Sequence, residues 1–383
     1  MFYFQRRSVY TKSVISRRAI FALPGLSLAF LNACGRRRGA AGFRGYAFVA
    51  NEEGQAVAVV DLEAFAVARH IPVAGNPTAV IAGTRLPFVY VLTAANGTIH
   101  EIAVDRLQFT RKLTVGASAV AMQMAPDDRA LYVLTREPKA LVRVALDRWA
   151  VDARISLPDE PVDFALAPDH SAAAITSNNS VRLVDLPAGI LRGPAGMGDF
   201  GAVRFLSDSR TMIAADRGER RLSFYDTASS GLITHLPLAV RPDYLCFNAD
   251  GGQLFVTGEG MDGVVVVYPF HTPEIAETVL AGHEPGPLAA SRGLLFVASP
   301  GSGGVSILEI NSRKVIAVAS VGTDPGFITV TPDDQYALVL NRASGDMAVL
   351  RVGAITRNRD RRASLLTVIP VGSRPVSAVV RAV

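Results

Sequence analysis

The sequence predicts an all-β fold, a β-propeller of four-stranded antiparallel blades, on three observations. Residues 46–383 repeat themselves about every 42 residues, a period that belongs to arrays and propellers whose units cannot bury their apolar faces alone. Within the unit, Ala-Pro-Asp-Asp-Arg-Ala-Leu-Tyr-Val-Leu-Thr at 125–135 recurs as Thr-Pro-Asp-Asp-Gln-Tyr-Ala-Leu-Val-Leu-Asn at 331–341. A Pro-Asp turn flanked by alternating apolar residues is a hairpin signature. A third and a fourth strand follow each hairpin, and four strands per unit make a propeller blade.

Taken in order, strand two of the unit begins near Tyr46, Val89, Leu131, Ala172, Thr211, Leu254, Leu294 and Tyr336. Strand one begins near Thr78, Ala119, Val162, Ala202, Tyr244, Pro287, Phe327 and Val376, and clear third strands lie at 57–61, 181–185, 222–226 and 305–310. The repeat therefore starts on a strand two and ends on an unpartnered strand one. A ring resolves the mismatch if the C-terminal strand at 376–380 pairs with the N-terminal segment at Tyr46, because both chain ends then complete one blade and no sheet edge is left open. Eight blades are favoured, and seven stays open if the degenerate stretch 172–205 is not a full blade.

Leu-Tyr-Val-Leu-Thr at 131–135, Leu-Phe-Val-Thr-Gly at 254–258 and Tyr-Ala-Phe-Val-Ala-Asn at 46–51 resemble the Tyr-Val-Thr-Asn (YVTN) β-propeller repeat of exported bacterial proteins. So do the loops Val-Gly-Thr-Asp-Pro at 321–325 and Val-Gly-Ser-Arg-Pro at 371–375. The resemblance runs through most of the chain and implies a fold rather than an activity, since the repeat consists of turn and core residues. Units four and five lack a clean Tyr-Val-Thr-Asn, and the family's common seven blades differ from the eight counted.

The organisation expected is an export signal at 1–33, a basic, glycine-containing tether at 34–45, and one propeller domain at 46–383. Residues 1–33 carry Arg6, Arg7, Lys12, Arg17 and Arg18 and no acid, then an apolar run at 19–31 that is too short to span a bilayer. Ser16-Arg17-Arg18-Ala19-Ile20-Phe21 resembles a twin-arginine signal, with an ordinary secretory signal as the alternative. Leu31-Asn32-Ala33-Cys34 resembles the lipobox of bacterial lipoproteins, although Asn32 is unusual at its position. That resemblance implies lipidation of Cys34, membrane anchoring, and a place in the periplasm or at the cell surface. Arg36, Arg37 and Arg38 would then face phospholipid headgroups, and Gly35 resembles the residue of lipoproteins sent on to an outer membrane.

Cleavage changes what the charge means. The full chain is +5 with an isoelectric point near 9.4, which invites a nucleic-acid reading. Losing the five basic residues of the signal leaves 34 of each sign, so no nucleic-acid partner is expected. Arg357, Arg359, Arg361 and Arg362 form a local basic stretch, read as a solvated extended turn. With Cys34 lipidated, Cys246 has no intramolecular partner and reads as a small apolar residue on an inner strand. A monomer is expected, with an envelope protein or a small ligand as partner.

Chemistry is sparse. The six histidines (His70, His100, His170, His235, His271, His283) are scattered without metal-ligand spacing, and neither a Gly-x-Ser-x-Gly elbow nor a haem-attachment motif occurs, so no metal or cofactor is expected. Gly301-Ser302-Gly303-Gly304 lies between two strands and reads as a hairpin turn. Propeller sites form where loops converge on the channel mouth. Loops entering strand one carry Asn76, Asp159, Glu160, Asp199, Arg241, His283, Glu284, Asp324 and Arg374; loops leaving strand two carry Asn51, Arg136, Asn178, Asp216 and Asn341. Asn76, Asp159, Asp216, Asp324 and Arg374 are the ligand-binding candidates. His283 with Glu284 is the general acid/base candidate, and Arg241 or Arg374 suits a carboxylate or phosphate. The competing reading is that these residues only form turns. Three functions follow: a non-catalytic envelope scaffold, a lactonase-type hydrolase sited at the channel mouth, and a cofactor-binding propeller shaped like haem d1 or quinoprotein subunits. The last is disfavoured by the missing ligand motifs.

Overall fold

A computed structural model describes residues 42–357 and 364–383. The export signal, Cys34 and most of the tether lie outside the described residues, as do Arg359, Arg361 and Arg362. Among the described residues, 32 strands form eight antiparallel sheets of four. Blade one is built from both chain ends: β1 (Gly45–Asn51), β2 (Ala56–Asp61) and β3 (Ala66–Pro72) are joined by β32 (Pro375–Ala382). The register pairs Tyr46 with Arg381, Phe48 with Val379 and Ala50 with Ser377, so the expected closure is present.

Each further blade begins at an inner strand: β4 (Pro77–Ala82), β8 (Ser118–Met124), β12 (Pro161–Leu166), β16 (Phe200–Phe205), β20 (Tyr244–Phe247), β24 (Leu288–Ala290) and β28 (Pro325–Val330). Successive inner strands touch, and β28 meets β32, which closes the circle. Blade four is complete despite its degenerate sequence. Its outer strand β15 (Ile190–Met197) contains Pro194 and shifts register twice against its neighbour, which the solvent-facing edge of a blade tolerates. Seven blades are therefore excluded.

Packing explains the count. The buried apolar residues form eight clusters, and each cluster is shared by two adjacent blades. The blade-eight and blade-one cluster, with Leu338 and Val349 against Val49 and Val60, resembles the other seven in size. Middle strands such as β5 (Phe88–Thr93) read as unbroken apolar runs because neighbouring blades cover both faces. Each fully buried phenylalanine, Phe48 or Phe296 for example, contributes about 1.5–3 kcal/mol.

Two turn devices lock blades together. In the Pro-Asp-Asp turns, the first Asp caps its own turn: Asp127 accepts from the Arg129 amide at 3.0 Å and Asp333 from the Gln335 amide at 3.1 Å. The second Asp is left-handed, with φ of 58° at Asp128 and 61° at Asp334, and reaches back to the preceding blade. Asp128 accepts from Thr84 Oγ1 at 2.7 Å and the Arg85 amide at 2.8 Å; Asp334 accepts from the Arg292 amide. Left-handed residues in the strand three to four turns do the same with rings and guanidinium groups: Phe65 packs on Tyr336, Trp149 stacks on Tyr90, and Arg313 donates to Tyr268 Oη at 2.7 Å. Where the sequence reading expects an extended turn after β30 (Asp346–Arg351), residues Val352–Arg357 form a short helix, because Val352 and Ile355 fall on one side and pack into the cluster shared by blades seven and eight.

Candidate functional site

The loops leaving strand two and entering strand one share one face, and there the sequence candidates find partners, mostly in neighbouring residues of the rim that the sequence reading did not single out. Arg374 reaches Glu52 at 2.7 Å and Glu53 at 3.8 Å. Asp324 accepts two hydrogen bonds from Arg342, at 2.6 and 3.0 Å. Asp199 holds Arg217 at 2.6 Å, and Arg217 also donates to Asn178 at 3.3 Å. Glu160 holds Arg136 at 2.8 Å, while Asp159 accepts from Ser180 Oγ at 3.0 Å and lies 3.7 Å from Arg182. Asn76 is exposed and accepts only a long bond, 3.4 Å, from Gln55. Exposed pairs of this kind contribute about 0–1 kcal/mol each, so they arrange the loops rather than hold the fold.

Three candidates are not on the accessible surface. Asp216 is fully buried, 2.9 Å from Arg221 Nε, and accepts from the Glu219 amide; it serves its own turn, and a ligand in solution cannot touch it. Asn51 and Asn341, the terminal residues of the repeat motif, are also buried. Their Nδ2 groups donate to the carbonyls of Val371 at 2.7 Å and Val321 at 3.0 Å. The glycine after each valine is required: Gly372 has φ of 129°, and a Cβ there would lie 2.7 Å from Asn51 Nδ2. The Val-Gly loops are thus seats for the repeat asparagine.

The rim opens into a cleft of about 570 Å³ between blades six and seven. His283 and Glu284 both line it, with Asp243, Tyr244, Glu259 and Asp262. Arg241 stands at its edge, bound to Asp243 at 3.0 Å and Glu259 at 3.2 Å. His283 Nδ1 is 3.1 Å from Asp262, and its Nε2 is 4.0 Å from Glu284. The hydrogen bond to Asp262 raises the His283 pKa above its ordinary value, with the charges of Asp262 and Glu284 adding to it. The Glu284 amide and His283 in turn hold the Asp262 carboxyl below the usual range. The residues proposed for acid/base work are therefore brought together, but in an open cleft with His283 about two-thirds exposed.

No family model matches the chain. It is 24% identical over 146 residues to the seven-bladed β-propeller protein Rv1057 of Mycobacterium tuberculosis, a stretch that covers 36% of this chain and only 37% of that relative. Among solved structures, it superposes on the dihydro-heme d1 dehydrogenase NirN in complex with DHE with a TM-score of 0.71 and 13% identity, over 92% of this chain and 78% of that one. It is similar to AztD of Citrobacter koseri, with a TM-score of 0.67, 14% identity and coverage of 88% and 98%. A putative 6-phosphogluconolactonase of Bacteroides fragilis superposes with a TM-score of 0.60, 14% identity and coverage of 90% and 99%. At these identities the structures share a fold, and a shared fold decides little about activity.

Sequence reasoning missed Asp262, Asp243 and Glu259, which supply most of the cleft's charge. The signal was present in the five-residue loop 258–262, Gly-Glu-Gly-Met-Asp, which is longer than the other loops leaving a strand two. Among the described residues no cluster of His, Cys, Asp and Glu is arranged to hold a metal. Cys246 lies on inner strand β20 as expected, partly rather than fully buried; its thiol donates to the Phe247 carbonyl at 3.3 Å, and burial pushes its pKa up. No helix among the described residues is long and apolar enough to cross a membrane.

Proposed function

We propose that this chain works as a non-catalytic binding or scaffold propeller of the bacterial cell envelope, anchored through lipid on Cys34. The observation that carries the binding part is the self-pairing of the rim. Charges engaged with one another in open solvent offer a patterned surface to a partner, whereas an active site excludes water around its reacting groups. The envelope part rests on the twin-arginine-like and lipobox-like residues 16–34 and on the likeness of the repeat to the exported YVTN propellers. Replacing Cys34→Ser in the full chain tests the anchor: the protein is expected to move from the membrane to the soluble fraction, and its retention on membranes contradicts lipidation.

A lactonase-type hydrolase is the second reading, supported by the Asp262–His283 pair in a rim cleft that Glu284 also lines. It requires His283 as the base that activates water. Hydrolysis of 6-phosphogluconolactone that falls at least about a hundredfold in His283→Ala would establish that reading over the first; no hydrolysis above the uncatalysed rate supports binding alone.

A further inference from the structure

The opposite face, formed by the turns between strands one and two and between strands three and four, carries a second cleft of about 510 Å³ between blades two and three. Leu86, Phe88 and Leu146 give it apolar walls, and arginines stand around it. Most of these arginines are already engaged. Arg111 is held by the buried carboxylate of Glu101, with hydrogen bonds of 2.9 Å from Nε and Nη2, and lies over the Trp149 ring at 4.4 Å. Arg143 and Arg148 both turn to Asp152. Arg129 is the exception: it lines the cleft, is exposed, and has no carboxylate partner among the described residues.

Tyr90 is the second observation. It is only 1% exposed yet lines the same cleft, and its hydroxyl has no hydrogen-bond partner among the described residues. Burial pushes its pKa well up, so it remains a neutral group able to donate. The Trp149 indole stacks against the Tyr90 ring at 6.0 Å between centroids, which fixes the ring and leaves the hydroxyl as its polar end.

We propose that this cleft binds a small organic carboxylate with a flat apolar body, the carboxylate pairing with Arg129 and accepting a hydrogen bond from Tyr90, and the body lying along Phe88 and Leu146. A free guanidinium suits a carboxylate through two parallel hydrogen bonds, and a pocket that pairs apolar walls with a few placed polar groups is the usual form of a small-molecule site. Two carboxylates of the wall are occupied, Asp128 by Thr84 and Arg85 and Asp152 by Arg143 and Arg148, and the third, exposed Asp147, lies 3.9 Å from Arg148.

The site has a reporter beside it, because Trp149, the only tryptophan in the chain, stacks on Tyr90. Titrating the full chain with benzoate while following tryptophan fluorescence should give a saturable change. Arg129→Ala, on an exposed turn, should weaken benzoate binding at least about tenfold. Tyr90→Phe, which removes only the unpartnered hydroxyl, should weaken it several-fold with the emission spectrum of the free protein unchanged. Benzylammonium, which reverses the charge on the same body, should give no saturable change. The proposal is overturned if Arg129→Ala binds benzoate as the parent does, if benzylammonium binds equally well, or if benzoate never saturates. Inorganic phosphate binding as tightly as benzoate would also overturn it, since the apolar wall would then play no part.

Discussion

At His100 a single imidazole is 1% exposed, 3.3 Å from Thr93 Oγ1 and packed against Phe109. Burial lowers its pKa, and the nearby Lys112 lowers it further. The folded chain therefore keeps the ring neutral at pH values where the unfolded chain, with an ordinary histidine pKa of about 6.5, takes up a proton. Stability should thus fall as pH drops below about 6.5 toward the depressed folded value. His235 adds to this slope, its pKa lowered by burial and by Arg221. His100→Gln should flatten the dependence of the urea midpoint on pH between about 5 and 7; an unchanged slope would show that His100 does not carry it. Residues like this one are hard to read from sequence, since nothing near His100 in the chain distinguishes it from exposed His271. Asn51 and Asn341 were easy to see as part of a repeated motif, but their role as buried clamps on Val371 and Val321 depends on loops that are 320 and 20 residues away.

At the scale of elements, strand positions were legible because each blade's middle strands are covered on both faces and so must be continuously apolar. Even β13 (Ala172–Ser177), which opens on three alanines, begins where the pattern places it. The latches between blades were legible only in part. Pro-Asp-Asp marks a turn, but its second Asp works across the blade boundary, and local sequence carries no sign of the partner. Asp128→Ala leaves Thr84 Oγ1 and the Arg85 amide without their acceptor and should cost about 1–3 kcal/mol. Asp127→Ala, whose Asp caps only its own exposed turn, should cost less. Equal losses in chemical denaturation would remove the latch from the account. The rim shows the same limit: charged loop residues were visible one by one, while the carboxylates that engage them, Asp262 for His283 and Glu52 for Arg374, come from other loops.

For the whole molecule, the offset of the repeat by one strand is the most consequential feature of the sequence, because it requires the two ends of the domain to meet. The closing strand also ties in its other neighbour: Arg381 donates to the carbonyls of Gly83, at 2.5 Å, and Leu86, at 2.7 Å, in blade two. A ring in which each blade has two neighbours unfolds as one unit, while an open array could fray from its ends. That ring sets both the rim and the opposite face, where the two candidate clefts lie. Urea unfolding of the chain lacking residues 375–383, compared with the full chain, tests it most directly. Closure predicts that the truncated chain loses stability on the order of 5–15 kcal/mol, about the net stability of a whole domain, and with it the single steep transition. A truncated chain unfolding at the same midpoint with the same steepness would contradict it.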